Sequence, residues 1–343
     1  MRTFLARRLL FLIPQILIVT ILSFVLIKLI PGDPAAIILG PLRTEAGVEK
    51  VHRDLGLDKS WPEQYWRYLK RTVQGDFGKS HISRISVMTE LQRRLPITLW
   101  LITIGAVLCI LLGIGIGYLA ALAPPGGWIN KVITGYGFLA GALPDFWVGL
   151  ILIFFFFAKL HVLPAPVGQL PESVVTGPDN PATVTHIALL DALIAGKWNV
   201  AGVAFRASIM PVLTLVLVYM PVVLKITAVS TADVYHSQFV AGARAVGVRR
   251  RTIVRYILRN AMLPIVTTSG VLYAFLLGGA VLIETVFSWG GFGQWSVTSV
   301  NNKDFNPIQT FMLVAALFTI LVYLAVDLLH FAVDPRIRAG RRH

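Results

Sequence analysis

Cysteine is almost absent: Cys109 is the only one in 343 residues. It lies within an apolar run, so the chain by itself forms no disulfide, no cysteine-ligated zinc site and no c-type haem attachment. Charge is scarce as well, at 14% of residues against 56% hydrophobic, with a mean hydropathy of +0.72. An ordinary soluble domain carries about 25% charged residues, so this composition marks an integral membrane protein. The seven histidines are scattered and never form H-E-x-x-H, and neither G-x-S-x-G nor the phosphate-binding G-x-x-x-x-G-K-S/T occurs. The chain therefore offers no catalytic residue, no metal site and no cofactor site of its own.

What the chain has in quantity is apolar length. A bilayer core takes about 20 apolar residues as a helix, and six windows qualify, roughly 9–30, 97–122, 132–157, 207–229, 265–286 and 310–331. The opening MRTFLARR has the basic start of a secretory signal, but no A-x-A cleavage site follows, and the first window reads as an uncleaved span. Six spans put both termini on one side. Lys and Arg gather at Arg2, Arg7 and Arg8, in the loop 230–263 and in the closing PRIRAGRRH. That bias marks the cytoplasmic side, and the three segments share a side with six spans. Segment 31–95 holds eleven Lys and Arg against eight acids, and a long loop is translocated largely regardless of charge. The net charge of +14 thus reports topology and contact with anionic lipid, and nucleic acid is not an expected partner.

The expected architecture is an all-α membrane protein of six transmembrane helices. Residues 1–30 form the cytoplasmic N-terminus and first helix, 31–96 a small extracytoplasmic module, and 97–343 a transmembrane domain of helices 2–6, with a cytoplasmic helical loop at 230–263. In the module, DKSWPEQYW predicts a helix capped by Ser60, with Glu63 completing a capping box and Pro62 in the first turn. Trp61, Tyr65, Trp66, Tyr68 and Leu69 give it an aromatic face, which packs on the module or headgroups or meets a partner or substrate. Gly113, Gly115 and Gly117 of GIGIGY follow no strand and read as a helix-packing stripe. GALPDFW interrupts the third window: Pro144 lacks an N–H, and Asp145 places a carboxyl in an apolar run. Asp145 is either a pathway residue or a cap on a broken helix. Residues 158–206 read as an irregular ordered loop. Glu284 lies near the outer boundary of the fifth window, and Gly279, Gly290, Gly291 and Gly293 permit a tight path there. That stretch either re-enters the mouth of a pathway or turns at the interface, anchored by Trp289 and Trp295. Asp327 snorkels or pairs near the inner interface.

Residues 242–264 pack six arginines between two apolar runs. Upstream apolar positions recur at three- and four-residue steps and stop at Gly247, the usual residue for a left-handed helix end. A second helix is predicted from about Thr252 to Met262, with Pro264 starting the next span. Ala241, Gly242, Ala243 and Ala245 leave one face flat enough for another protein to approach. Tethering at both ends argues against a DNA-binding helix-turn-helix. The arginines by themselves also fit a run that only sets topology and touches anionic lipid.

LIPGDP after the first span, LGLDKS and GDFGKS in the module, RRLPITL before the second span and LPAPVG after the third occur in that order. ARAVG with LRNAMLP, then ETVFSWGGFG and DPRIR, complete the series. Together they resemble the inner-membrane permeases of the dipeptide, oligopeptide and nickel branch of ATP-binding-cassette importers. The resemblance implies a helix that docks into a groove on an ATPase subunit, carried here by Ala241, Gly242, Ala243, Arg244, Ala245 and Gly247. Ala241 replaces the usual glutamate, Gly290 the usual proline, and Tyr323 an asparagine. It also implies a second homologous permease, two ATP-binding subunits that hold ATP and Mg, and an extracytoplasmic solute-binding protein in a prokaryotic inner membrane. Pro144, Asp145 and Glu284 are the candidate pathway residues. A proton-coupled carrier, a membrane enzyme or scaffold, and an importer of nickel or oligosaccharide are the competing readings; dependence on ATP or on a proton gradient separates the carrier.

Overall fold

The computed structural model describes residues 2–29, 34–39, 44–124 and 126–333. LIPGDP, DPRIR and the basic tail fall wholly or partly outside them. An apolar chain in lipid must satisfy its backbone groups within each segment, which favours helices. In chain order these are α1 (Arg2–Leu29), α2 (Pro34–Leu39), α3 (Glu45–Leu55), α4 (Trp61–Val73), α5 (Val87–Leu122), α6 (Trp128–Ala142) and α7 (Asp145–Leu152). Then follow α8 (Glu172–Val175), α9 (Ala188–Ile194), α10 (Trp198–Tyr235), α11 (Gln238–Ala245), α12 (Arg250–Val286), α13 (Phe292–Asn301) and α14 (Phe305–Val333). Five of them, α1, α5, α10, α12 and α14, are long and apolar enough to cross a membrane. A sixth crossing exists if α6 and the stretch Asp145–Lys159, bent by 104°, span as one.

The chain divides into two compact units, Met1–Leu95 with Gln294–Ile320, and Pro96–Gly293 with Leu321–His343. In the first, α4 packs on α1 through Tyr65 and Tyr68, whose rings stand 5.6 and 6.1 Å from that of Phe24. Their hydroxyls reach Thr20 Oγ1 at 2.9 Å and Ser23 Oγ at 3.3 Å. The aromatic face therefore splits: the tyrosines hold α1, while Trp61 and Trp66 stay exposed. Ser60 does stand at the N-cap, but its side chain makes no cap bond. Glu63 instead pairs one turn on with Arg67 at 2.9 Å, so the capping box is not formed.

In the second unit the glycine stripe packs as its spacing predicts. A Cβ at Gly113 would stand 2.8 Å from Val223 Cβ, and one at Gly117 would stand 2.6 Å from the Leu224 carbonyl, so α5 and α10 pass at backbone distance. Gly115 faces open space and Gly105, on the packed side, meets Leu215.

Several boundaries differ from the sequence expectation. α5 begins ten residues before Ile97 and carries Pro96 inside it. α12 runs uninterrupted for 37 residues through Pro264, so the second helix of the basic loop and the fifth span are one element. Membrane helices tolerate an interior proline, which is why the stop signal fails here. Residues 158–206 are not all irregular: they hold α8, α9 and the start of α10. Asp191, buried at the first turn of α9, orders this segment by accepting from the Thr185 N–H at 2.7 Å and the Thr185 hydroxyl at 2.8 Å. Trp289 and Trp295 are buried, so neither indole anchors an interfacial turn.

Candidate functional site

α10 ends at Tyr235, and Ser237 opens α11 with its Oγ accepting from the Val240 N–H at 3.4 Å. The helix closes in a Schellman motif: Val248 donates to the Ala243 carbonyl and Gly247 to that of Arg244, each at 3.0 Å. Gly247 has φ +76°, the left-handed conformation its position predicts. Val240 is fully buried with Ile253 and Ile257 of α12, and Ala243, Val248 and Tyr118 pack against that cluster. The Arg244 guanidinium lies 4.2 Å from the Tyr235 ring centre, a cation–π contact that ties α11 to the end of α10.

The other side of α11 is open. Ala241, Gly242, Ala245 and Gly247 are exposed, and a Cβ at either glycine meets nothing within 4 Å. Phe239 and Val246 flank them at 54% and 80% exposure, with Phe239 5.7 Å from the Tyr256 ring. Of the six coupling candidates, Ala243 alone turns inward.

Asp145 opens α7 after the bend. Leu143 and Pro144 both have extended backbone, as the residue before a proline prefers, and the helix restarts at the carboxylate. Its Oδ1 accepts from the Phe146 N–H at 2.7 Å and its Oδ2 from the Tyr219 hydroxyl at 2.9 Å. It lines a cleft of about 540 Å3 with Tyr219, Thr267, Thr268 and Phe275, and among the described residues it is the one charged side chain there. Asp145 is thus a first-turn acid that also lines the cleft; the N-cap position itself is held by Pro144, with no side-chain cap bond.

Glu284 is fully buried. The Thr98 hydroxyl donates to its Oε1 and accepts from the Phe292 N–H at 2.8 Å, joining α5, α12 and the start of α13. Gly291 and Gly293 press against the carboxylate, and a Cβ at Gly291 would collide with it. Glu284 stands away from the Asp145 cleft and is not among its lining residues. Thr98 and Tyr219 escape a reading of the sequence, because partners 186 and 74 residues away leave no local pattern.

Residues 113–339 match the family described as the binding-protein-dependent transport system inner membrane component. Residues 1–102 match the N-terminal region described for such membrane components. The chain belongs to this family. Relatives include the probable D,D-dipeptide transport system permease protein DdpB of Escherichia coli K12, 36% identical over 323 residues, covering 94% of this chain and 93% of that protein. The glutathione transport system permease protein GsiC of the same strain is 34% identical over 339 residues, covering 98% and 99%. Its Salmonella paratyphi A counterpart is 35% identical over 348 residues. This permease is therefore the multi-pass inner-membrane component of an ATP-binding-cassette importer, a transport subunit and not an enzyme, that works with a solute-binding protein and ATPase subunits.

Proposed function

We propose that this permease forms half of the translocation pathway for di- or oligopeptides, paired with a second homologous permease and two ATPase subunits that hold ATP and Mg. The observation that carries the coupling assignment is the open face of α11: small residues beside Phe239 and Val246, on a helix whose other side is locked to α12. In this reading Ala241, Gly242, Ala245 and Gly247 meet the ATPase, Arg244 braces the helix on Tyr235, and Ala243 positions it. The cleft beside Pro144 and Asp145 lines the solute route, its lone carboxylate matching a peptide's ammonium group. Glu284 acts on that route as a fixed post that holds the backbone turn after α12. Both termini and the 230–263 segment face the cytoplasm, with 31–95 and 158–206 outside. The peptide assignment is supported by the relatives, a probable D,D-dipeptide transport permease and a glutathione transport permease.

The experiment is competition for uptake in cells expressing the whole importer. Labelled dipeptide should enter and be displaced by unlabelled dipeptides, and Asp145→Asn should lower uptake several-fold while the complex still assembles. Uptake of nickel or oligosaccharide without peptide uptake would replace the substrate assignment.

A further inference from the structure

The unit formed by Met1–Leu95 and Gln294–Ile320 lines a half-open cavity of about 270 Å3 at the C-terminal end of α1. This lies just below the range of roughly 300–1,000 Å3 that suits drug-sized ligands, so it fits a small group. Phe24 and Tyr68 form apolar wall, and the polar lining groups include Lys28, Arg71, Lys79 and His81 together with Asp76 and Asp304.

Most of these charges cancel in pairs. Arg71 Nε donates to Asp76 Oδ2 at 2.9 Å, and this bond with that from the Gly78 N–H holds the Asp76 carboxyl below its ordinary value. His81 Nδ1 lies 3.0 Å from Asp304 Oδ1, while the Ser80 hydroxyl holds the other oxygen. At the rim, Arg67 is committed to Glu63. Lys28 donates to the neutral Gln64 side chain, and neither it nor Lys79 has a carboxylate partner among the described residues. The inventory leaves two ammonium charges over.

His81 Nε2 adds a second observation: it is buried and has no hydrogen-bond partner. Buried polar atoms are nearly always paired, and this orphan belongs to a residue that lines the cavity. The apolar run of α1 ends at Leu29, next to Lys28, which sets the cavity at a membrane boundary where headgroup phosphates lie.

We propose that this cavity binds one phosphate oxyanion, with Lys28 and Lys79 supplying the charge beside the His81 ring. The phosphate comes from the headgroup of an anionic lipid or from free inorganic phosphate.

The test uses the intact importer purified in detergent, with Lys79→Gln, Lys28→Gln/Lys79→Gln, and Lys70→Gln as a control on the exposed side of α4. Native mass spectrometry during titration with phosphatidylglycerol reads the lipid, and thermal shift against inorganic phosphate reads the free ion. One phosphatidylglycerol should bind this subunit, weakened about tenfold by Lys79→Gln and further by the double change, with Lys70→Gln unaffected. A phosphate-dependent rise in melting temperature that the same variants lose, with no lipid retained, assigns the site to the free ion. Absence of both in the wild type overturns the proposal, as does equal binding by wild type and Lys79→Gln. That single variant alters only an exposed side chain, so the comparison decides even where the double variant does not assemble.

Discussion

Gly291 is where one methyl group tests the burial of Glu284. A Cβ there would overlap the carboxylate, which Thr98 holds from the other side, so the alanine variant must push one of them away. Overpacking of this kind typically costs about 1–3 kcal/mol. Gly291→Ala should lower the melting temperature of the purified importer by several degrees, whereas Gly290→Ala, where a Cβ meets nothing within 4 Å, should show only the strain of its left-handed φ of +80°. Equal melting for wild type and Gly291→Ala would mean that the carboxylate is not wedged. At this scale the sequence is readable in part: four glycines next to a lone acid mark a tight backbone path, but Thr98, the group that fixes the acid, is invisible until the chain is folded. Asp145 is similar, since its place before a helix restart can be read while its bond to Tyr219 cannot.

The element whose two faces differ most is α11. Its end at Gly247 and its small residues follow from local rules of helix capping and periodicity, and the structure keeps both, while the N-cap at Ser237 emerges only with the fold. Which small residue faces which way depends on α12, and so Ala243 packs on Ile253 and Ile257 and not outward. Two substitutions of equal bulk should therefore behave differently. Gly242→Trp should leave the permease inserted at normal levels but reduce ATPase copurification about tenfold, as overpacking at a close contact would. Ala243→Trp should lower the amount of folded permease itself, because the indole has to enter the α11–α12 packing. Copurification from membranes, normalised to inserted permease, separates the two; normal ATPase recovery with Gly242→Trp would leave the open face without that partner. The continuous α12 was less legible because Pro264 and the arginines before it both look like punctuation. In lipid the helix passes through the proline, where backbone groups find no better partner than the helix itself.

Across the whole molecule, apolar length and basic loops carry most of the architecture, since both are set by the bilayer and not by distant contacts. Six windows became five long helices and one bent pair, and the bend lies at the Pro144 that interrupts the third window. Sidedness is testable with single cysteines, because Cys109 is the sole native thiol and is buried. In a Cys109→Ala background, a cysteine at Asp179 should react with an impermeant maleimide in intact cells, and one at Ser237 only after permeabilisation. Labelling of the Ser237 position in intact cells would invert the topology. The central claim is that transport through this chain is driven by ATP hydrolysed on other subunits. It is tested most directly by peptide uptake into proteoliposomes holding the permease, its partner subunits and the binding protein. Uptake should require internal ATP and the ATPase subunits and be indifferent to a protonophore; uptake that persists without the ATPases and collapses with the proton gradient would make the chain a proton-coupled carrier instead.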